Sequence, residues 1–519
     1  MRSVLSGTLN RGASSAPAGP LDARKSWVKS EPRLPPCVIL EVLSAHRPSI
    51  PCLLVLSGAL ACTPSETPRA EPAEWTLVYY LPYDNDLDPA AEPILRALSR
   101  VPRDRRIRVA AFVDRQGSDG IERHLHGGAD AFFERLAADA SSDVESLAGA
   151  LRWVEEHAPA RSYAVFLAGH SGGLADYAYD TNPGASDAQR WMDVRDVERV
   201  LADWRPRRGR VRLLYLQQCA RSTVETVHLM RHVAPVVIAS QASMGAPNAY
   251  YDGMLRELVR NPGLSPEQLA RVIVENEDPD MFAALTAVRT EPLDRLGARL
   301  SDAIDPLLGV AELISTETRL TGRTEPGQAA RLELPIETLG EYELTTRVIG
   351  DPIDLAIELE NASGETVAAD SNSGVGLEPR VAPVLDRGDY VAVIHGEETS
   401  DDGPFELIVR RLDRPAETFR WEDERFVDVI DWLAELYARN GLSPEPVQAL
   451  ERFVRDDVVL VHRVSPERVE QAGRWSGLSI AIASEGTVLE RYAGFSLYNE
   501  TNLGPLQRRL LASPARSMP

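Results

Sequence analysis

Residues 164–173 read AVFLAGHSGG, an apolar run that breaks into a Gly-His-Ser-Gly-Gly turn. The run predicts a buried strand over 162–168, and the glycines predict a tight turn at its carboxyl end. Two kinds of chemistry fit this turn. Either Ser171 is the nucleophile of a G-x-S-x-G elbow, or His170 is the base for a nucleophile that lies elsewhere in the chain.

Around this turn the sequence alternates between strand and helix patterns from residue 75 onward. Such alternation predicts an α/β fold with a mostly parallel sheet that helices cover on both faces. Ligand sites in these sheets lie at the carboxyl ends of the strands, and both the 169–173 turn and Cys219 are expected there. The predicted strands are 75–83, 107–114, 162–168, 211–216 and 233–240, and the predicted helices are 90–99, 144–156, 193–204 and 223–231.

The pattern changes near residue 322. Apolar and polar residues alternate between frequent turns over 328–412, which predicts an inserted antiparallel β-sandwich. Later segments with a regular pattern are helices at 426–439, 447–455 and 506–511 and a strand at 476–484. The chain is therefore divided into a leader and tether at 1–74, an α/β domain at 75–321, the sandwich at 322–415 and the second part of the α/β domain at 416–519.

Charge and cysteine content exclude several classes of function. The net charge of −22 makes nucleic acid and anionic membrane surfaces poor partners. Three of the four cysteines, Cys37, Cys52 and Cys62, precede residue 63. Only Cys219 remains for the folded body, which excludes a disulfide framework and a CxxC metal site.

The leader contains an export-like segment. Residues 51–62 read PCLLVLSGALAC, an apolar run that is too short to span a bilayer but suits a signal sequence. Its last four residues resemble a bacterial lipobox and make Cys62 a candidate for lipidation, followed by a polar tether. We expect an exported protein, either a cell-envelope lipoprotein or extracellular, whose only membrane contact is a lipid anchor at Cys62. A disordered leader without an export role is the alternative.

The two interpretations of the glycine turn make different demands on the rest of the chain. A serine elbow needs a helix directly after the turn, but residues 174–189 are polar and contain Pro183 and Gly184. Under the other interpretation, His170 and Cys219 end neighbouring strands, and a thiol needs such a base to become a nucleophile. Backbone N–H groups of the turn and of Cys219 would then hold an oxyanion. The turn residues concerned are Gly169, Ser171 and Gly172.

Short motifs in the same order and spacing resemble the clostripain family of cysteine peptidases, whose fold is shared with caspases, gingipains and legumains. They are WTLVYYLPYDNDL at 75–87, with Asp84 and Asn85; AGHSGG at 168–173; and LYLQQCARSTVE at 214–225, with Cys219 and Glu225. Weaker likenesses lie at 426–436 and 476–483. The resemblance implies an endopeptidase with a Cys219–His170 dyad, a protein or peptide substrate and no required cofactor. We expect a monomer, although the sequence does not give the oligomeric state.

The sequence departs from the family at the expected substrate pocket. Family members mostly cleave after arginine or lysine and use acidic residues, whereas this chain has Gln217 before the nucleophile and Gln241 after Ser240. A neutral amide gives up the charge-assisted pairing that selects a guanidinium, so we expect a weakened preference for basic residues. Asp252 or Asp176 remains a candidate carboxylate for this pocket.

Two further family properties are calcium dependence and self-cleavage. Calcium dependence occurs in part of the family, and Asp84, Asp86 and Asp88 are spaced like oxygen ligands, although Asp84 and Asn85 are better explained as residues that cap the strand end. Self-cleavage would fall at Arg190 or at residues 204–210, for which a solvated turn is the favoured interpretation.

The inserted sandwich resembles the bacterial pre-peptidase C-terminal domain, at residues 354–374 and 386–396. The sandwich is either a binding module or a passive insertion. Two classes of function therefore remain, an active exported peptidase and a catalytically weakened homologue that binds through the sandwich. The serine hydrolase is a remote third alternative.

Overall fold

The structure, a computed structural model, describes residues 72–512 apart from short internal segments. The predicted leader up to residue 71, Cys62 included, and part of the 204–210 turn lie outside the described residues. The internal segments outside it are 104–105, 118–119, 129–130, 137–139, 182–189, 205, 207–208, 372, 375–377, 399–400, 413–415, 422–423 and 472.

The first part of the α/β domain alternates between strands and helices, as the sequence predicts. Asp143 and Asp193 cap two of the helices by accepting hydrogen bonds from backbone N–H groups in the first turn. In chain order the elements are β1 (Ala73–Tyr83), α1 (Asp88–Leu98), β2 (Ile107–Arg115), β3 (Glu122–His126), β4 (Phe132–Arg135), α2 (Val144–His157), β5 (Ala160–Ala168), β6 (Asp176–Tyr177), β7 (Met192–Asp193), α3 (Val194–Asp203), β8 (Arg210–Gln217), α4 (Val224–Leu229), β9 (Val236–Ser240), α5 (Tyr251–Arg260), α6 (Pro266–Asn276), β10 (Ala284–Arg289) and α7 (Leu296–Leu308).

The inserted segment forms two antiparallel sheets around its own apolar core, which includes Leu344, Ile357 and Phe405. The strands are β11 (Glu317–Arg323), β12 (Ala330–Ile336), β13 (Gly340–Val348), β14 (Leu355–Asn361), β15 (Thr366–Asp370), β16 (Arg380–Val381), β17 (Val384–Leu385), β18 (Gly388–Gly396) and β19 (Pro404–Arg411). The first strand begins at Glu317, slightly before the predicted boundary at 322. One sheet has the order β11-β19-β13-β16, with β17 against β13, and the other has the order β12-β18-β14-β15.

The chain then completes the α/β domain. The sequence predicts a helix over 426–439, but the helix begins at Val429, because the Asp428 side chain accepts hydrogen bonds from Ile430 N–H (3.0 Å) and Asp431 N–H (3.1 Å). The residues before it form a strand. The elements are β20 (Glu417–Trp421), β21 (Glu424–Asp428), α8 (Val429–Arg439), α9 (Glu445–Arg452), β22 (Val459–Val464), β23 (Ser479–Ala483), α10 (Gly486–Tyr492), α11 (Ser496–Glu500) and α12 (Leu503–Leu511).

A nine-stranded sheet with the order β22-β10-β9-β8-β5-β1-β2-β3-β4 forms the centre of the α/β domain. The run from β9 to β2 is parallel, and the strands outside it are antiparallel. Two apolar cores cover the sheet, one containing side chains of α2, α3 and α7 and the other containing side chains of α1, α5 and α6. The predicted α/β fold with a mostly parallel central sheet is confirmed. Across the described part of the chain, no helix is both long enough and apolar enough to cross a membrane.

Candidate active site

The pairing of β5 with β8 brings His170 and Cys219 to one edge of the sheet. The strands are parallel, and Ala168 pairs with Gln217 at the last register position. His170 and Cys219 each follow two residues later. Both residues therefore lie beyond the carboxyl ends of adjacent strands, where α/β sheets place ligands.

Gly169 shapes the turn that carries His170. Its φ is +124°, and a Cβ there would lie 2.9 Å from Pro82 Cγ. A residue with a side chain would be both strained and crowded at this position. The glycine therefore allows the loop that begins at His170 to pass close to the end of β1.

Ser171 connects the loop after β5 to the loop after β8. Its hydroxyl donates a 2.8 Å hydrogen bond to the carbonyl oxygen of Cys219, and the residue is buried. A serine nucleophile instead needs an imidazole as its hydrogen-bond acceptor. The geometry therefore favours the His170–Cys219 alternative over the serine elbow.

His170 is bonded to a residue for which the sequence suggested a different role. Its Nε2 lies 2.7 Å from Asp86 Oδ1. The side chain of Asp86 is 81% exposed and that of His170 is 34% exposed, so the pair is open to solvent. The sequence placed Asp86 directly after the first strand, but offered it only as a calcium ligand.

The Cys219 thiol lies against the loop after β9. The thiol donates to Met244 O (3.6 Å), and Met244 N–H donates to the sulfur (3.4 Å). Burial raises the pKa of Cys219, while Met244 N–H and the Arg221 guanidinium act to lower it. Among the residues that the structure describes, the hydrogen-bond partner of the sulfur is Met244 and not His170. The thiol is therefore protonated at neutral pH in this conformation.

Backbone bonds hold the turn that carries Cys219. Ala220 N–H donates to Ala242 O (2.9 Å), and Ser222 N–H donates to Ser240 O (2.8 Å). Ala220 has a φ of +49°, which is unfavourable for a residue with a Cβ. Backbone outliers of this kind cluster at functional sites, and this one directly follows Cys219.

One of the predicted oxyanion donors is used inside the loop. Gly172 N–H donates to Asp176 O (3.2 Å), and a Cβ on Gly172 would lie 2.7 Å from Asp176 Cβ. The tight turn from Gly172 to Asp176 therefore turns this N–H away from an oxyanion role in this conformation. The predicted oxyanion donors that remain are the backbone N–H groups of Gly169, Ser171 and Cys219.

The predicted pocket residue Gln217 is buried below the turn of Cys219. Its Nε2 donates to Asn248 Oδ1 (2.6 Å), and its Oε1 accepts from the Tyr250 hydroxyl (3.2 Å). Both functional atoms of the Gln217 amide therefore have neutral hydrogen-bond partners. Any other group that binds the amide has to displace one of these hydrogen bonds.

The other four candidate pocket residues lie in different surroundings. Asp176 pairs with Arg491 (2.9 Å). Gln241 is buried and donates to Asp428 Oδ2 (2.8 Å). Ser240 is also buried, and its hydroxyl lies 2.7 Å from Ala284 O. Asp252 is half-exposed and pairs with Arg100 (2.8 Å).

The motif residue Asn85 joins the end of β1 to the loop that begins at His170. Its Nδ2 donates to Pro82 O (2.9 Å) and Tyr179 O (2.6 Å), and its Oδ1 accepts from Leu87 N–H (2.9 Å). These hydrogen bonds of Asn85 link the end of β1 to the loop after β5.

Glu225, the other motif residue, lies fully buried in the first turn of α4. Its Oε1 accepts from Ala481 N–H (3.2 Å). Burial raises the pKa of Glu225 to about 8, against the backbone N–H groups that act to lower it. This residue therefore ties α4 to β23.

The three carboxylates that were considered as calcium ligands point to different partners. Asp84 accepts from the Thr181 hydroxyl (3.1 Å), Asp86 contacts the imidazole, and Asp88 pairs with Arg115 (2.8 Å). In the described part of the chain, no group of three or more His, Cys, Asp or Glu side chains is placed to hold a metal ion.

A family model described as the clostripain family matches residues 93–283. That stretch contains His170, Cys219 and Glu225. The match confirms the resemblance that the motifs indicated and supports a cysteine peptidase. No curated protein matches the chain.

Several solved structures are similar to this chain. An inactive zymogen of a C11 protease from Parabacteroides distasonis has 13% identity and a TM-score of 0.48, and the alignment covers 83% of this chain and 99% of that one. A secreted C11 cysteine protease from Bacteroides thetaiotaomicron, in complex with an irreversible peptide inhibitor, has 14% identity and a TM-score of 0.49, with 82% and 99% covered. The pre-peptidase C-terminal domain of a collagenase from Bacillus anthracis is matched weakly, with 16% identity, a TM-score of 0.16 and 19% and 93% covered.

Proposed function

We propose that the chain is an endopeptidase in which Cys219 is the nucleophile and His170 is the acid–base catalyst. The observation that carries the proposal is the β5–β8 register, which sets both residues beyond the ends of adjacent strands. The hydrogen bond from Ser171 to the Cys219 carbonyl holds the two loops together at this edge.

The reaction follows the chemistry of a thiol and an imidazole. His170 takes the proton from the Cys219 thiol, and the sulfur attacks the carbonyl carbon of the scissile bond. Backbone N–H groups near Cys219 hold the oxyanion that forms. The protonated imidazole then gives its proton to the leaving amine, and the C–N bond breaks to leave a thioester. Water, deprotonated by His170, attacks the thioester and releases the new carboxylate and the thiol.

Asp86 supports this cycle by its contact with His170. A carboxylate on one ring nitrogen fixes the ring orientation and stabilises the imidazolium that forms after proton transfer. Because the thiol is bonded to Met244 in the resting conformation, the sulfur has to leave that bond before it reaches the imidazole.

The substrate preference we propose is for a neutral rather than a basic side chain before the scissile bond. Gln217 and Gln241 have no charge to pair with a guanidinium, and each is already bonded to a buried partner. A fluorogenic peptide panel tests this, and arginine substrates that outpace neutral ones by orders of magnitude would disprove it.

A second candidate function is a catalytically weakened homologue that binds through the sandwich. The raised pKa of Cys219 and the bond from its thiol to Met244 favour this candidate, because an unactivated thiol is a poor nucleophile.

Alkylation distinguishes the two candidates. Iodoacetamide is added to the purified full chain, and the modified peptide that contains Cys219 is quantified by mass spectrometry, apart from those of the other three cysteines. Rapid alkylation that His170→Ala abolishes supports the peptidase. Slow alkylation that is equal in both proteins supports the weakened homologue.

The proposal also includes export with a lipid anchor at Cys62 and a dyad that works without a metal or other cofactor. The lipobox-like sequence supports the lipid anchor, and metabolic labelling with a fatty acid should mark the parent chain but not Cys62→Ala.

The separate partners of Asp84, Asp86 and Asp88 support a dyad that works without a metal. Unchanged activity after chelation of calcium is the expected result.

A further inference from the structure

We infer that Arg221 is a positioning residue that holds the loop after His170 against the turn that carries Cys219. The inference rests on the proposed peptidase function, since it assigns a residue to the same site. Arg221 follows Cys219 by two residues, and only 1% of its surface is exposed.

The guanidinium of Arg221 reaches from one loop to the other. Its Nη1 donates to Leu174 O (2.7 Å), and its Nη2 donates to Asp176 O. Its Nε donates to Gln218 Oε1 (2.9 Å), and Gln218 in turn donates to Leu167 O in β5 (3.2 Å). One rigid fork of donors therefore fixes the strand end before His170 and the loop after it.

The hydrogen bonds of Arg221 differ from those of an ion pair. Among the described residues, its hydrogen-bond acceptors are two backbone carbonyls and a neutral amide. Burial lowers the pKa of Arg221 to about 10, while the carboxylates of Asp176 and Glu424 act to raise it. A buried charge without an ion pair disfavours folding unless its hydrogen bonds compensate. The contribution of Arg221 is therefore the loop geometry that its hydrogen bonds impose.

Glu424 holds the same loop through a different backbone group. It accepts a hydrogen bond from Leu174 N–H (2.7 Å) and another from the Tyr492 hydroxyl (2.8 Å). A Cβ on Gly173 would overlap its carboxylate, so the loop packs directly on it. Leu174 is thus bonded through its N–H by Glu424 and through its C=O by Arg221. Removal of Arg221 alone should shift the loop without unfolding it.

A shift of this loop reaches the proposed catalytic pair. Ala178 N–H donates to His170 O (3.3 Å), and Ser171 is bonded to Cys219. The segment that Arg221 holds lies between these two contacts. A displacement of about 1 Å in a catalytic group lowers the rate by about 100-fold.

Arg221→Gln and Arg221→Lys test the inference in the full chain. For each variant we would measure kcat and KM on a peptide substrate, the pH dependence of Cys219 alkylation by iodoacetamide, and thermal unfolding. Arg509→Gln is the matched control, because Arg509 also binds backbone carbonyls, those of Leu308 (2.6 Å) and Ala311 (2.9 Å), outside the proposed site.

We expect Arg221→Gln to lower kcat by about 30- to 100-fold with KM changed by less than about 3-fold. Its alkylation profile should approach that of His170→Ala, because a shifted imidazole no longer activates the thiol. Arg221→Lys should recover part of the loss, and Arg509→Gln should match the parent.

A folded Arg221→Gln protein with the parent's kcat and alkylation profile would overturn the inference. If that variant does not fold, Arg221→Lys decides in the same way, and failure of both to fold would make Arg221 a folding residue instead. Parent protein without His170-dependent alkylation would refute the proposed function itself, which is a separate outcome.

Discussion

The Ser171 hydroxyl donates a 2.8 Å hydrogen bond to the carbonyl oxygen of Cys219. The residue that follows the proposed base is therefore in direct contact with the proposed nucleophile. The bond joins the ends of β5 and β8, which the strand register already sets side by side. The serine thus has a structural contact in the position where an elbow would require a nucleophile.

Removal of this bond should weaken the enzyme without abolishing activity. We expect Ser171→Ala to lower kcat by about 3- to 10-fold and the free energy of unfolding by about 1 kcal/mol, because the Cys219 carbonyl loses a buried donor. Steady-state kinetics and urea unfolding measure the two effects. Ser363→Ala, on an exposed turn, is the control. Complete loss of activity in Ser171→Ala would instead assign the nucleophile to Ser171.

The contact between Asp86 and His170 predicts a graded response to substitution. Asp86→Asn keeps a hydrogen-bonding group but loses the charge-assisted bond, so kcat/KM should fall by about 3- to 10-fold, whereas Asp86→Ala should lose about 10- to 100-fold. Asp88→Asn is the matched control, since that carboxylate pairs with Arg115 instead. Equal rates for the parent and both Asp86 variants would show that the contact has no part in catalysis.

Much of the α/β domain could be predicted because parallel strands buried on both faces are continuous apolar runs. β1 and β5 are of this kind, with almost every residue buried. The placement of His170 and Cys219 follows from the same pattern, since each comes directly after such a run. β10 was not predicted, and neither were α6 and α7 on either side of it. Its apolar run at 284–289 is short, and periodicity alone does not distinguish such a run from a buried helix segment.

The contacts that support the loops could not be predicted from local patterns. Asp86 and His170 are 84 positions apart, and Leu174 and Glu424 are 250 positions apart. A single charged residue carries no periodicity, so nothing in the sequence distinguishes Glu424 from a solvated side chain. Arg221 lies within a recognised motif, but its burial depends on the tertiary packing of the loop after His170.

The buried carboxyl of Glu225 predicts a pH-dependent stability. Its pKa of about 8 in the folded protein exceeds the ordinary 4.5, because burial disfavours the charged form. The free energy of unfolding therefore decreases as the pH rises from about 4.5 to about 8, and it stays at the lower value above about pH 8. Glu225→Gln should gain stability relative to the parent over this window, on the order of 2 kcal/mol at pH 7.

Urea unfolding of Glu225→Gln and of the parent at pH 5, 7 and 9 checks this prediction. Glu257→Gln, on α5, is the control and should differ from the parent by less than about 0.5 kcal/mol. A constant difference between Glu225→Gln and the parent across the three pH values would contradict the raised pKa.

The interface between the sandwich and β20 predicts the opposite pH dependence. Glu343 is fully buried there and binds Arg420 (2.8 Å), Arg410 (3.3 Å) and Arg380 (2.5 Å). Burial alone would raise the pKa of Glu343, but the three guanidinium groups lower it to about 2. Since the folded pKa lies below the ordinary 4.5, the stabilisation is complete above about pH 4.5 and is lost as the pH falls toward 2. Glu343→Gln should lower the free energy of unfolding by about 3 kcal/mol at pH 7, because it removes one carboxylate from a buried ion-pair network. Arg410 and Arg420 keep Glu317 and Glu417 as partners. The difference from the parent should shrink below pH 4.5. Urea unfolding measures both, with Glu333→Gln, an exposed position on β12, as the control. A Glu343→Gln protein as stable as the parent at pH 7 would show that these ion pairs do not fasten the sandwich to the α/β domain.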